Sequence, residues 1–385
     1  MKLRILLASA AALVPAALVP AALVSAALVS AALVSAAGAA RADVTLAVAS
    51  PFTGQNSSFG EQIKRGAEAA AAAVNANGGI NGQKLVLDLQ DDACDPKQAV
   101  AAANKIVSAN DAGVIGHFCS SSSIPASDVY AEAGVPQISP GSTNPKLTDR
   151  GLTSVFRTCG RDDQQSAVAA AAIISRKLGP KIAIVDDKSA YGKGLADGVR
   201  SALAAKGIQE ALDDTTTQGD KDFSALISRL KAANVDFVFY GGYFSEAGLL
   251  VRQAKEQGLK AIFMGGDGIA SSEFAGIAGP ASDGVLMTFY PDPRDNPAAA
   301  PVIQAFRDQK FEPEGYTLYS YAAVTIFADA AKRAGTTEGT KVAAELHKGS
   351  YNTVLGTMAF DAKGDPNTEP FIVYVWKAGK YVPLK

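Results

Sequence analysis

From Asp43 onward, short apolar runs alternate with longer stretches in which apolar residues recur every three or four positions. Residues 44–50 form the first run and predict a strand. Over 58–77, Ile63, Ala67, Ala70, Ala71 and Val74 fall at helical spacing, and Asn77, Gly78 and Gly79 end the pattern. The alternation continues with a strand over 84–90, a helix opened by Pro96 and running through 98–108, a strand over 113–118, a helix over 124–133 and a strand over 135–139. It then restarts: helices at 164–178, 192–206, 223–233 and 246–257 are separated or followed by strands at 181–186, 209–213, 236–240 and 261–264. Each series predicts a parallel sheet with helices on both faces. Pro291, Asp292 and Pro293 read as a connector, followed by helices at 301–310 and 317–334 and strands at 354–360 and 371–377. The expected architecture is an α/β protein of two doubly wound lobes joined by several crossings. Its ligand would lie between the lobes, beyond the carboxyl ends of the strands.

The first 42 residues differ in kind. Lys2 and Arg4 precede an uncharged stretch over 5–40, which contains AALVP from positions 11 and 16 and AALVS from positions 21, 26 and 31. Ala40, Arg41 and Ala42 form a small-residue cleavage pattern. This is the layout of a secretory signal peptide over 1–42. The apolar stretch exceeds the roughly 7–15 residues of such a signal and suffices for the roughly 20 of a membrane span. Two readings therefore stand, a cleaved signal with an expanded repeat and a retained anchor. Both place the body of the protein outside the cytoplasm, and the first predicts a periplasmic protein.

Charge narrows the partners. Of 385 residues, 36 are Lys or Arg and 38 are Asp or Glu. Removing 1–42 takes Lys2, Arg4 and Arg41 and no acid, so the acidic surplus grows to five. That balance suits neither nucleic acid nor an anionic membrane surface. Cys94, Cys119 and Cys159 are the cysteines. Export permits a disulfide, but spacing does not choose the pair.

Candidate chemistry clusters at predicted strand ends. His117, Phe118, Cys119 and the four serines 120–123 run from a strand into a helix start. Hydroxyls and N–H groups at a helix N-terminus suit an anion such as a carboxylate, although one serine suffices as a cap. Ser139, Gly141, Ser142, Thr143 and Asn144 repeat that chemistry in a Pro/Gly turn. Tyr191 precedes Gly192, Gly194 and Gly198, a spacing one residue too long for the dinucleotide fingerprint, and reads as a turn presenting an exposed tyrosine. Tyr243 and Asp267 sit in two further glycine-rich segments that follow strands. His117 and His347 are the only histidines and have no metal-ligand spacing. No phosphate loop or nucleophile elbow is present. His117 reads as a packed residue, and no catalytic residue, metal or cofactor is expected.

Four segments taken together carry a resemblance that spans the chain from Asp43. They are DDACDPKQAV from Asp91, the 117–123 run with Pro125, Ala126, Ser127 and Asp128, YGKGLA from Tyr191, and FYGGY from Phe239. The chain resembles the periplasmic leucine/isoleucine/valine-binding proteins of ABC importers. The resemblance implies a type I periplasmic-binding-protein fold, monomeric and without enzymatic activity, handing an amino acid to a membrane permease. Its lobes would comprise 43–161 with 291–368 and 162–290 with 369–385, joined by a three-segment hinge. Ser120 and Thr143 would bind the ligand α-carboxylate. Gly141 would offer its carbonyl to the ammonium, helped by Thr143, and Asp267 would supply the counter-charge from the opposite lobe. Phe59, Phe118, Cys119, Ser142, Tyr191, Tyr243 and Tyr316 would wall the side-chain pocket. Cys94 and Cys119 would form a disulfide, leaving Cys159 over.

The sequence departs from the family pattern at Asp267, Phe59 and Phe118, where Glu, Tyr and Leu are expected. The shorter acid requires a tighter closure or a bridging water. The two phenylalanines make the pocket more apolar, so shape would select the side chain. Shape discriminates by only about 1–3 kcal/mol per methylene, so a group of related amino acids is expected to bind. Competing readings are another amino acid or small amide on the same fold, a membrane-tethered sensor, and an extracytoplasmic enzyme.

Overall fold

The computed structural model describes residues 42–367 and 371–385. The tandem repeat and the cleavage pattern up to Arg41 lie outside the described residues, as does the lobe boundary expected at 368/369. Among the described residues, no helix is long and apolar enough to cross a membrane.

β1 (Val44–Ser50), β2 (Leu85–Asp91), β3 (Val114–Gly116), β4 (Gln137–Ser139) and β5 (Val155–Arg157) form a parallel sheet of order β2-β1-β3-β4-β5. β1 reads VTLAVAS and is buried at all but one position, whereas β2 reads LVLDLQD and lies half-exposed at the edge. Burial on both faces is what a parallel sheet asks of its central strands. The helices α1 (Ser57–Ala76), α2 (Pro96–Ala109) and α3 (Ser120–Glu132) follow β1, β2 and β3.

The same order recurs in β6 (Ile182–Asp186), β7 (Leu212–Thr215), β8 (Phe237–Gly241), β9 (Ile262–Gly265) and β10 (Leu286–Phe289), arranged β7-β6-β8-β9-β10. α4 (Asp162–Ser175), α5 (Ala190–Ala204), α6 (Ser224–Ala232), α7 (Phe244–Glu256) and α8 (Ser272–Ala278) belong to this half. The chain then returns to the first sheet as α9 (Ala300–Asp308), α10 (Thr317–Ala334), α11 (Gly339–Lys348) and the hairpin β11 (Ser350–Thr353) with β12 (Gly356–Ala359). α10 packs along α1, and Phe156 of β5 meets His347 and Phe360 with ring centroids 4.6 and 5.1 Å away. Finally β13 (Ile372–Lys377) and β14 (Lys380–Pro383) extend the second sheet antiparallel beside β10. The chain thus passes between the sheets three times, after β5, after β10 and after β12. Arg157, wholly buried, pins the first of these crossings to the third: it pairs with Asp365 at 2.8 Å, and Arg161 reaches the same carboxylate at 2.6 Å.

The apolar pattern does not announce β5 or β10, each only three or four residues long. They complete the two sheets as fifth strands. The single strand expected over 354–360 is instead a hairpin turning after Thr353. α3 begins at Ser120, four residues earlier than the apolar spacing suggests, because its first turn is polar rather than amphipathic.

Candidate functional site

The two doubly wound sheets direct the carboxyl ends of β1, β3 and β4 and of β6, β8 and β9 toward one cleft. Every residue expected to touch the ligand lies on segments that follow these strands, except Tyr316, which caps α10. All of them are buried, Phe59 and Tyr316 completely. The lobes are closed over the site.

On the first face, β3 turns through His117 and Phe118 to Cys119, the residue that precedes α3. Its sulfur is bonded to Cys94. The pairing implied by the resemblance is present, and Cys159 is a buried free thiol whose titration is pushed far upward by burial. Closing a loop of 25 residues stabilises by about 3.5 kcal/mol in the chain-entropy account.

The serine run does not converge on one point. Ser120 Oγ accepts from the Asn144 N–H at 3.3 Å, and Ser121 Oγ accepts from the Ala190 N–H across the cleft at 3.1 Å. Ser123 Oγ donates to His117 O at 3.1 Å and lies 2.6 Å from Ser142 Oγ. The Ser142 hydroxyl contacts Phe118 O at 2.8 Å, so it fixes backbone beneath the site. Ser122 Oγ and Thr143 Oγ1 are buried without hydrogen-bond partners. Gly141 is required by contact: a Cβ there would lie 2.4 Å from the Phe118 ring.

His117 is the packed residue its sequence context suggests. Its Nδ1 lies 2.5 Å from Asp92 Oδ2 and its Nε2 lies 2.9 Å from Tyr130 Oη. Asp92 Oδ1 accepts from the Cys94 N–H at 2.8 Å, so one buried carboxylate ties the disulfide loop to the strand end.

On the second face, Asp267 follows β9 and is nearly inaccessible. Tyr191 Oη donates to its Oδ1 at 2.8 Å, Gln165 Nε2 donates to the same oxygen at 2.9 Å, and Tyr316 Oη donates to Oδ2. Burial raises the Asp267 titration, and these three donors oppose that rise. Gly268 lets Tyr191 approach, since a Cβ there would lie 2.8 Å from the tyrosine ring. Tyr191 also accepts the Gly268 N–H at 2.8 Å. The expectation of an exposed Tyr191 on a turn is corrected: it lies in the first turn of α5, 3% exposed, because its hydroxyl points inward to Asp267.

Aromatic rings enclose the space between the faces. Phe59 stacks on Phe118 with centroids 4.3 Å apart, Phe118 meets Tyr316 at 5.0 Å, and Tyr243 meets Tyr191 at 5.0 Å. Phe244 adds an edge to Phe59 at 5.2 Å. Sequence reasoning missed Phe244 and Gln165. Phe244 directly follows Tyr243, a signal that was available, whereas nothing along the chain connects Gln165 with Asp267. Direct bonds between the lobes were likewise not foreseen: Asn144 Nδ2 donates to Ala190 O at 2.5 Å, and Ser58 Oγ lies 2.9 Å from Ser271 Oγ.

A sequence model of the periplasmic binding protein family matches residues 43–380. The chain is 51% identical over 343 residues to a Leu/Ile/Val-binding protein homolog of Brucella melitensis, covering 89% of this chain and 92% of that one. The crystal structure of a leucine binding protein, LivK, from Thermotoga maritima superposes with a TM-score of 0.83 at 28% identity, covering 89% and 98% of the two chains. The branched-chain amino acid transporter substrate binding protein LivJ of Streptococcus pneumoniae, solved with isoleucine, gives 0.81 at 25% identity, covering 88% and 97%.

Proposed function

The chain belongs to the periplasmic binding protein family, and from that premise we propose that it captures aliphatic, branched-chain α-amino acids outside the cytoplasm and delivers them to the membrane permease of an ABC importer. The observation that carries the ligand class is the opposition of Asp267, a buried acid, to the donors around Ser120 and Thr143, with apolar rings between them. A zwitterion with an apolar side chain complements that arrangement: its ammonium faces Asp267, and its carboxylate takes hydroxyl and N–H donors. Phe59, Phe118 and Phe244 offer the side chain only apolar contact, which favours leucine, isoleucine and valine over polar amino acids. The relatives named for leucine, isoleucine and valine support the same ligands.

On this reading the lobes are 43–161 with 291–368 and 162–290 with 369–385, and they close about the three crossings. The 1–42 segment serves export to the periplasm, and the protein acts as a monomer, binding without turnover. The test is calorimetric titration of the exported protein after unfolding and refolding have stripped carried-over ligand. One-to-one binding of leucine, isoleucine and valine, with glutamate and γ-aminobutyrate silent, supports the reading. Silence from every α-amino acid refutes it.

A further inference from the structure

Asp162, the first residue of α4 at the first crossing, has no part in the amino-acid site proposed for the cleft, yet it is only 2% exposed and neither carboxylate oxygen has a hydrogen-bond partner of ordinary geometry. Its backbone N–H donates to Thr143 O at 2.9 Å, which brings it beside the Thr143 hydroxyl, also buried and without a partner of ordinary geometry. Two neighbouring polar groups left unpaired in the interior demand an explanation. A threonine has one hydroxyl hydrogen. If Asp162 is ionised, that hydrogen is drawn to Asp162, and a ligand carboxylate arriving at Thr143 meets a second anion instead of a donor.

We propose that Asp162 carries a proton when the lobes are closed, donates a hydrogen bond through it to Thr143 Oγ1, and thereby leaves the Thr143 hydroxyl hydrogen for the carboxylate of the bound amino acid. This deepens the amino-acid reading and rests on it. The proton comes from solvent as the cleft shuts. Asp162 is a positioning residue, acting through Thr143.

The surroundings favour this assignment. Burial holds the Asp162 carboxyl well above the usual range and the charge on Asp267 adds to the rise, while the Thr143 hydroxyl and Arg157 oppose it less strongly and neighbouring Asp163 adds to it. Arg157, on β5, is committed to Asp365, Ser142 O and Thr148 Oγ1. Arg161 is committed to Asp149, Asp163 and Asp365. From the second lobe, Tyr191 and Tyr243 face Asp162 with phenols that burial holds neutral, and the Cys159 thiol is held neutral in the same way. Between the two carboxylates, Asp267 has three donors that favour its charged form and Asp162 has none of comparable geometry, so the proton resides on Asp162.

A carboxyl whose titration is raised by closure takes up a proton on binding at neutral pH. The resulting gain in affinity is full below the open-form value and is lost as pH rises toward the closed-form value, by about tenfold per pH unit. The experiment is titration of the exported, refolded protein with L-leucine at pH 7 in phosphate and in Tris, then over pH 5–8. The expected result is a binding heat that shifts with the buffer's ionisation enthalpy by about one proton per leucine, and a Kd that rises with pH. Asp162→Asn, whose amide can donate to Thr143 Oγ1, should bind leucine without the buffer or pH dependence. Full-strength leucine binding with heats independent of buffer overturns the proton on Asp162 and leaves the amino-acid reading intact. No heat with any amino acid overturns both. The wild-type buffer and pH series decide the matter even if the variant does not fold.

Discussion

The two sheets repeat one strand order, yet the groups at their carboxyl ends are opposites. After β3 and β4 the first lobe presents neutral hydroxyls tied largely to its own backbone. Ser123 and Ser139 both donate to His117 O, the Ser142 hydroxyl reaches Phe118 O, and the Cys94–Cys119 bond anchors the residue before Ser120. After β6, β8 and β9 the second lobe presents buried acids, of which Asp267 is the one held by phenols. Of the donors to Asp267, Tyr191 and Gln165 belong to the same lobe, but Tyr316 sits on α10 and packs with the first. Gln62 of α1 confirms that attachment by accepting the Tyr316 N–H at 2.9 Å. Apart from the bonds of Ser121 and Asn144 to Ala190, the first face is thus held from within one lobe, whereas the environment of Asp267 draws on both. A preorganised donor face loses little on binding, and an acid that is partly solvated until the cleft shuts converts closure into binding energy.

Substitutions break this contrast in a definite order. Asp267→Asn should be the most damaging, weakening leucine binding by about 100-fold or more in calorimetry, because the ammonium is then buried without a counter-charge. Thr143→Ala and Ser120→Ala should each weaken it about 10–100-fold by removing a donor to a charged group. Tyr316→Phe and Tyr191→Phe each remove one phenol from Asp267 and sharpen the comparison. Each should weaken binding by about tenfold, but only Tyr316→Phe should speed lobe opening, read as a faster leucine off-rate in stopped-flow fluorescence. Replacing Cys94 and Cys119 together by Ser should lower unfolding stability in urea by about 3 kcal/mol. Asn144→Ala, which removes one bond between the lobes, should change affinity only about 2–10-fold.

Much of this site was legible because the strand-end position of a residue is a local property. An apolar run followed by Gly, Ser or Tyr and then helical spacing locates Ser120, Thr143, Tyr191, Tyr243 and Asp267 without knowledge of their neighbours. Local pattern failed where the partner is remote. Tyr191 reads as an exposed turn residue because its acceptor, Asp267, lies 76 positions away. Gln165 reads as one more polar residue of a helix for the same reason, its partner lying 102 positions on. The serine run suggests one anion site, yet Ser120, Ser121 and Ser123 answer to different neighbours, one of them in the opposite lobe, and Ser122 answers to none.

By itself the sequence determined the repeated alternation of strand and helix, because periodicity and turn residues act over a few positions at a time, and four short segments carried the resemblance to the family. Only the tertiary structure decided which hydroxyls remain unspent, that Tyr316 crosses to Asp267, and that Asp162 lies buried and unpaired beside Thr143. Those facts depend on the loss of water around groups brought together from distant parts of the chain, and desolvation is set by the assembled neighbours rather than by the residue itself.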